Sequence, residues 1–449
     1  MLMEFTIGNF LSFSEKQTLS MNAGKFRLNS DRLYKDNNCK ILKFMAVYGA
    51  NASGKSNLID AFGWFQSFVV SGFKRASYRL YCKVEEKYRS EPSHFSIKVK
   101  IDEHFYTYGF DAILNTSSVV KEYLYETLKN GNKKMVFERN VPNGTFTTGS
   151  YFTSEELLER IKIYGEDIKN DGSVLFLKIM NQNKASLYEK KSKLSVFKDI
   201  YFWIKYKLDI NIPESTITNY LLLKDGERLQ QIINKLKYFD FGIETSHMVE
   251  ITEDKVATNL PKDFLNDVQQ DLQAQKDETN NTSVQNPAVL IRTYDNIYSV
   301  ELSENGTLVY RTLEFKHKNS SASFTLSEES DGTVRLLNII EVLLEADNDK
   351  VYIIDEINRT FHPLLTIEFI REFLDLAKTR DTQLIVTTHE SQLMDLKLLR
   401  KDEISFINKN NYGYSTIDSL DNYDDRFDKK ILNEYFLGKY HAIPIFKSE

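Results

Sequence analysis

Two stretches far apart in the chain carry side chains suited to handling phosphate. Residues 44–58 read FMAVYGANASGKSNL, in which Gly49 through Ser56 fit the pattern G-x-x-x-x-G-K-S. Glycines at those places let a loop fold tightly enough for its N–H groups to converge on phosphate oxygens. Lys55 then reaches the β- and γ-phosphates, the Ser56 hydroxyl ligates Mg²⁺, and Asn51, Ala52, Ser53, Gly54 and Asn57 complete the nucleotide-binding set. The second stretch, VYIIDEINRTFHP, ends an apolar run in Asp355 and Glu356. Asp355 suits Mg²⁺, and Glu356 suits the general base that orients and deprotonates an attacking water. A third, DTQLIVTTHES, places Thr387, Thr388 and His389 at the end of another apolar run, with His389 as a γ-phosphate sensor.

These groups require elements to hold them. Phe44–Tyr48 reads as a strand and Ser56–Phe68 as a helix whose positive end faces the same anion. Val351–Ile354 and Gln383–Val386 read as further strands, with ligand groups at their carboxyl ends as in open α/β sheets. The carboxylate strand is expected to neighbour the phosphate-loop strand. Lys55 and Asp355 stand 300 positions apart and no N-K-x-D follows the loop. The nucleotide core is therefore split by a long insertion.

The rest of the composition sets bounds. A chain of 449 residues exceeds one simple core. Net charge of −6 argues against a broadly nucleic-acid-coated surface, though not against a local basic patch. Cys39 and Cys82 show no pairing or metal pattern, as in a reducing compartment. The N-terminus MLMEFTIGNF lacks the layout of a signal peptide, and no apolar run approaches a membrane span. A cytoplasmic protein with no membrane partner is expected.

Between 151 and 290, SEELLERIKIYGEDI and RLQQIINKLKYF carry apolar residues at helical spacing, without a sustained heptad. This predicts a compact, mainly helical insertion between a head fragment at 1–150 and another at 291–449, with a polar loop over 273–287. One basic stretch, NKASLYEKKSKLSVFKDIYFWIKYK, interleaves Lys184, Lys190, Lys191, Lys193 and Lys198 with aromatics. It reads either as a solvated helix face over a core or as a surface for DNA. SEESDGTVRLLNII reads as a capped helix start, with Ser330 or Thr333 satisfying free amides.

The motifs together resemble the ABC-type ATPases of SMC, RecF and OLD-family proteins. FTIGNFLSF matches their N-terminal strand and hairpin, GANASGKSN their loop, and ESDGTVRLL, YIIDE and IVTTH the remaining motifs, while the tail YFLGKYHAIPIF resembles the AAA15 group that includes the AbiLi and RloA phage-defence ATPases. The resemblance implies an α/β P-loop NTPase fold of ABC/SMC-head type with a mixed sheet. It also implies ATP and Mg²⁺ as cofactors and a head-to-tail homodimer sandwiching two ATP molecules. In that arrangement Ser330 and Gly332 form the signature that completes the partner's site. The resemblance leaves the glutamine loop unplaced. It sets Asn358 where many relatives have an acid, and His441 where the tail often has glycine. The function it implies is a slow ATPase acting as sensor or regulator of a bacterial anti-phage, abortive-infection system with a separately encoded nuclease or toxin effector. The alternatives are a RecF-like DNA repair or recombination ATPase and an ATP-locked non-catalytic scaffold.

Overall fold

The computed structural model describes residues 1–36, 39–128, 130–188, 192–213, 226–279, 288–293, 296–303, 305–344, 350–423 and 431–443. The chain divides into two compact units, Met1–Pro213 with Ala346–Glu449, and Glu214–Glu345.

The first unit holds a six-stranded sheet in the order Leu208–Asn211, Val351–Ile354, Gln383–Thr387, Phe44–Tyr48, Ile404–Lys409, Ser415–Ser419. Its first five strands run parallel and the last antiparallel. Parallel strands are covered on both faces, so they read as unbroken apolar runs rather than alternations. That is why FMAVY, VYII and QLIVT are wholly buried. The carboxylate strand Val351–Ile354 is not adjacent to the phosphate-loop strand. The strand Gln383–Thr387 lies between them.

The helix after the phosphate loop, Lys55–Ser71, serves two sheets at once. Its phenylalanines meet a seven-stranded antiparallel sheet that begins with Leu2–Gly8 and includes Ser93–Ile101 and His104–Ile113. Phe62 stacks on Phe5 at 3.8 Å between ring centroids, and Phe65 on Phe110 at 5.7 Å. The opposite face of the parallel sheet is covered by helix Pro363–Leu376, whose Phe373 lies 6.2 Å from Phe44. The tail joins the same unit, with Tyr440 stacked on Phe406 at 4.9 Å. His441 has φ +56°, the left-handed backbone that glycine adopts freely. This accounts for glycine being acceptable at that place.

Residues 151–213 are helical over Glu155–Ile168, Phe176–Asn181 and Ser195–Phe202, as expected, but they belong to the first unit. Phe176 and Phe197 pack with Phe137 of the antiparallel sheet. Buried Glu122 accepts from the amides of Phe176 at 2.6 Å and Leu177 at 3.0 Å, capping that helix. The Arg139 guanidinium lies 3.3 Å from the same carboxylate. Without such a partner, a buried charge would be very costly.

The second unit combines helices with a sheet. Its sheet runs Ile243–Ile251, Leu308–His317, Ile297–Leu302, Ala288–Arg292, with Ser323–Thr325 paired to Leu308–His317. Helices Gly226–Tyr238 and Lys262–Thr279 accompany it. The expected limits of 151 and 290 thus differ at both ends. IYSVEL is buried nearly throughout and LVYRTLEFKH alternates only weakly, so neither shows a clear strand period beside strong helical periodicity. The expected loop over 273–287 is helix as far as Thr279, and 280–287 lie outside the described residues. Among the described residues no helix is long and apolar enough to cross a membrane.

Gln383 clips the two sheets of the first unit together. Its Oε1 accepts from Leu2 N at 2.6 Å, and its Nε2 donates to the carbonyls of Leu2 and Leu42 at 2.9 Å each. The residue is fully buried. Gln383→Leu strands those backbone groups, and denaturant unfolding is expected to show a loss of roughly 2–4 kcal/mol. An unchanged midpoint would remove the clip from the account.

Candidate functional site

The phosphate loop is shaped by positions where a side chain cannot stand. A Cβ on Gly49 would lie 2.4 Å from Ser53 Oγ, and one on Gly54, at φ +113°, would lie 2.3 Å from Ser415 Oγ. Ala52 adopts φ +61°, a further left-handed residue in the turn. Buried Lys55 folds back over the loop, its Nζ donating to the carbonyls of Gly49 at 2.8 Å and Ala50 at 3.1 Å. Burial lowers its pKa, while the charges of Asp355 and Glu356 oppose that shift. Ser53 Oγ is buried against Gly49 without a hydrogen-bond partner. A phosphate oxygen entering the loop would satisfy that hydroxyl, so the loop fits an anion.

Serines distant in sequence brace this loop. The hairpin at Asn9–Ser14 turns tightly, with Phe10 and Phe13 exchanging backbone hydrogen bonds of 2.8 Å. Ser12 at its tip accepts from Asn57 Nδ2 at 2.6 Å. Ser415 Oγ donates to the Ser53 carbonyl at 2.5 Å and lies 2.7 Å from Ser12 Oγ. Asn57 is thereby held by the N-terminal hairpin.

At the ends of the neighbouring strands, Thr387 organises the two acids. Its hydroxyl donates to Asp355 Oδ1 at 2.5 Å and accepts from the Glu356 amide at 2.8 Å. The Asp355 amide also donates to Asn211 O at 2.9 Å. Glu356 has φ +47°. That conformation costs a residue with a Cβ about 1–2 kcal/mol, and such strain gathers at functional sites. Asn358 links this turn to the histidine: its Oδ1 accepts from Thr388 Oγ1 at 3.1 Å and from the His389 amide at 3.2 Å. An acid would also accept both bonds, so Asn358 keeps the geometry while removing a charge. Burial lowers the His389 pKa first and the Lys55 ammonium second, against the opposite pull of Glu356 and Asp355. The ring is thus biased toward its neutral form, although its outer edge meets solvent.

A cleft of about 590 Å³ gathers Asn51, Gly54, Lys55, Ser56, Glu356 and His389, together with Lys409 at the end of strand Ile404–Lys409. Lys409 had no motif to mark it. Only the sheet order, which sets its strand beside the phosphate-loop strand, brings its ammonium here. Asp60, one helical turn beyond Ser56, has its pKa raised by burial and then by the charge of Asp355. Ser56 and Asp355 offer a hydroxyl and a carboxylate, hard oxygen donors of the kind Mg²⁺ takes.

Ser330 and Gly332 lie in the other unit. Ser330 Oγ accepts from Thr333 N at 3.2 Å, capping the exposed start of helix Asp331–Ile339. The acids before it have local duties. Glu328 accepts from the amide and hydroxyl of Thr325 at 2.8 and 2.9 Å, and buried Glu329 pairs with His317 Nε2 at 2.7 Å.

In the basic stretch, Lys193 donates to Tyr151 O at 2.9 Å, whereas Lys190 and Lys191 lie outside the described residues. Trp203 is buried, while Phe202 and Tyr206 face solvent.

Comparison with known families gives a match over residues 44–146 and 143–395 to the family described as "AAA domain, putative AbiEii toxin, Type IV TA system". No curated protein matches. Among solved structures, an SMC head bound to the C-terminal winged-helix domain of ScpA is similar at 14% identity and TM-score 0.41, covering 93% of this chain and 97% of that one. The SMC head domain from Thermotoga maritima gives 12% and 0.38, covering 93% and 98%. The Smc head with an extended coiled coil bound to the C-terminal domain of ScpA, derived from Pyrococcus furiosus, gives 14% and 0.40, covering 93% and 96%.

The His389 environment yields a pH prediction. Its folded pKa lies below the ordinary 6.5, so the unfolded chain binds the proton first. The contribution of a neutral ring is therefore complete above about 6.5 and is lost as pH falls below it. NMR titration should place the ring below 6.5 and show it rising in Lys55→Met, which removes the repelling ammonium. A fall in that variant would contradict the assignment.

Proposed function

The chain belongs to this AAA-domain family, and from that premise we propose that it binds and hydrolyses ATP at sites that two copies complete head to tail. The observation that carries this reading is the single cleft in which Lys55, Ser56, Glu356 and His389 converge from three separated stretches of sequence. The triphosphate enters the glycine-shaped loop, and Lys55 exchanges the carbonyls of Gly49 and Ala50 for β- and γ-phosphate oxygens. Ser56 and Asp355 would hold Mg²⁺, which would supply charge neutralisation. Glu356, fixed through its amide by Thr387, takes a proton from the water that attacks the γ-phosphorus. The new P–O bond replaces the bridging P–O bond, and ADP leaves. His389, near-neutral beside Lys55, donates a hydrogen bond to the γ-phosphate rather than a full charge.

The opposite wall of each site is the partner's Ser330–Gly332 segment. Its exposed helix start offers amides and a hydroxyl to the γ-phosphate. Pairing is thus linked to nucleotide occupancy. The toxin–antitoxin wording of the family description accords with a multi-component system. We place the chain as the slow ATPase sensor or regulator of an anti-phage, abortive-infection response, with a separately encoded nuclease or toxin as effector.

Glu356→Gln keeps the side-chain size and removes the base. ATP affinity should persist while turnover falls by about 10²–10⁴. Equal loss of binding and turnover would show that Glu356 serves the ground state, and unchanged turnover would move the base elsewhere.

A further inference from the structure

On a chain of net charge −6, one concave surface of the first unit has no carboxylate among its described lining residues. It is lined by Lys184, Lys198 and Lys205, with Tyr201, Phe202 and Tyr206 between them and two asparagines at one side, and encloses about 650 Å³. The core beneath it is already filled: Phe197, Ile200, Trp203 and Ile204 are buried. Phe202 and Tyr206 are the residues left over, 51% and 49% exposed, one turn apart with ring centroids 4.4 Å from each other. Exposing two neighbouring large aromatics to water is unfavourable unless they meet a partner. The lysines around them define its charge.

We propose that this surface binds a single strand of nucleic acid, its phosphates on Lys184, Lys198 and Lys205 and its unpaired bases on the faces of Phe202 and Tyr206. Lysines alone would serve a duplex equally well. Exposed rings set among them favour unstacked bases, because every base offers a flat face and only unpaired ones can turn it toward the protein. Those features are common to DNA and RNA, so the site does not distinguish the sugar.

The surface is wired to the nucleotide elements. Residues Trp203–Lys207 form a wide helical turn. Gln66 Nε2 of the phosphate-loop helix donates to Ile204 O of that turn at 2.9 Å and to Leu208 O just after it at 2.8 Å. The strand that follows, Leu208–Asn211, ends at the carbonyl bonded to the Asp355 amide.

Fluorescence anisotropy with the full chain tests the site, using labelled 20-mers of oligo(dT) and oligo(U) and a duplex of matched length from 50 to 200 mM KCl. Both single strands should bind more tightly than the duplex. Phe202→Ala with Tyr206→Ala should weaken them roughly tenfold or more, and Phe202→Trp should preserve affinity. Lys198→Ala with Lys205→Ala should flatten the log–log salt slope by about 1.4, the change expected for two lost phosphate contacts on a single strand. Basal ATP turnover in these variants should match the parent, which certifies their fold. The proposal is overturned if neither oligonucleotide binds at 50 mM KCl. It is also overturned if the aromatic variants leave affinity unchanged, or if the duplex binds as tightly as the single strands.

Discussion

The hydroxyl of Thr387 carries the arrangement on which the rest of the site depends. It donates to Asp355 and accepts from the amide of Glu356, a residue in left-handed backbone. One small side chain therefore fixes a carboxylate suited to a cation and turns the next carboxylate toward the cleft. Thr387 can do this because its strand lies between the carboxylate strand and the phosphate-loop strand.

That strand order demands a tightly held sheet, and the packing supplies it. The helix from Lys55 lies between two sheets, so movement at the phosphate loop meets the aromatic layer of Phe5, Phe62, Phe65 and Phe110. Gln383 joins the bottoms of those sheets, while Ser12 and Ser415 brace the loop at the top. Close-packed interiors transmit strain rather than absorb it. A loop so braced moves with its surroundings.

The parts legible in the sequence were those whose signals are local. The strand over Phe44–Tyr48 and the strand over Val351–Ile354 occupy the spans that their apolar runs predict, because both faces of each are buried. The family and α/β architecture were likewise legible from the glycine-lysine loop and the acidic strand end. Lys409, Ser12 and Ser415 were not marked as site residues, since only tertiary pairing brings them to the loop. The inserted sheet was missed because its strands alternate weakly, and Ile243–Ile251 pairs with Leu308–His317 across two helices and two further strands. Glu328 and Glu329, bonded to Thr325 and His317, shape the segment before Ser330.

The central claim is that each ATP site needs a second copy of the chain. The most direct measurement mixes two variants, Ser330→Arg and Glu356→Gln, each of which disables both sites of its own homodimer. In a mixed dimer one site carries both lesions and the other carries neither. Random pairing should then restore about a quarter of parental ATP turnover from two inactive preparations. Activity that stays at the sum of the separate variants at every mixing ratio would contradict a composite site.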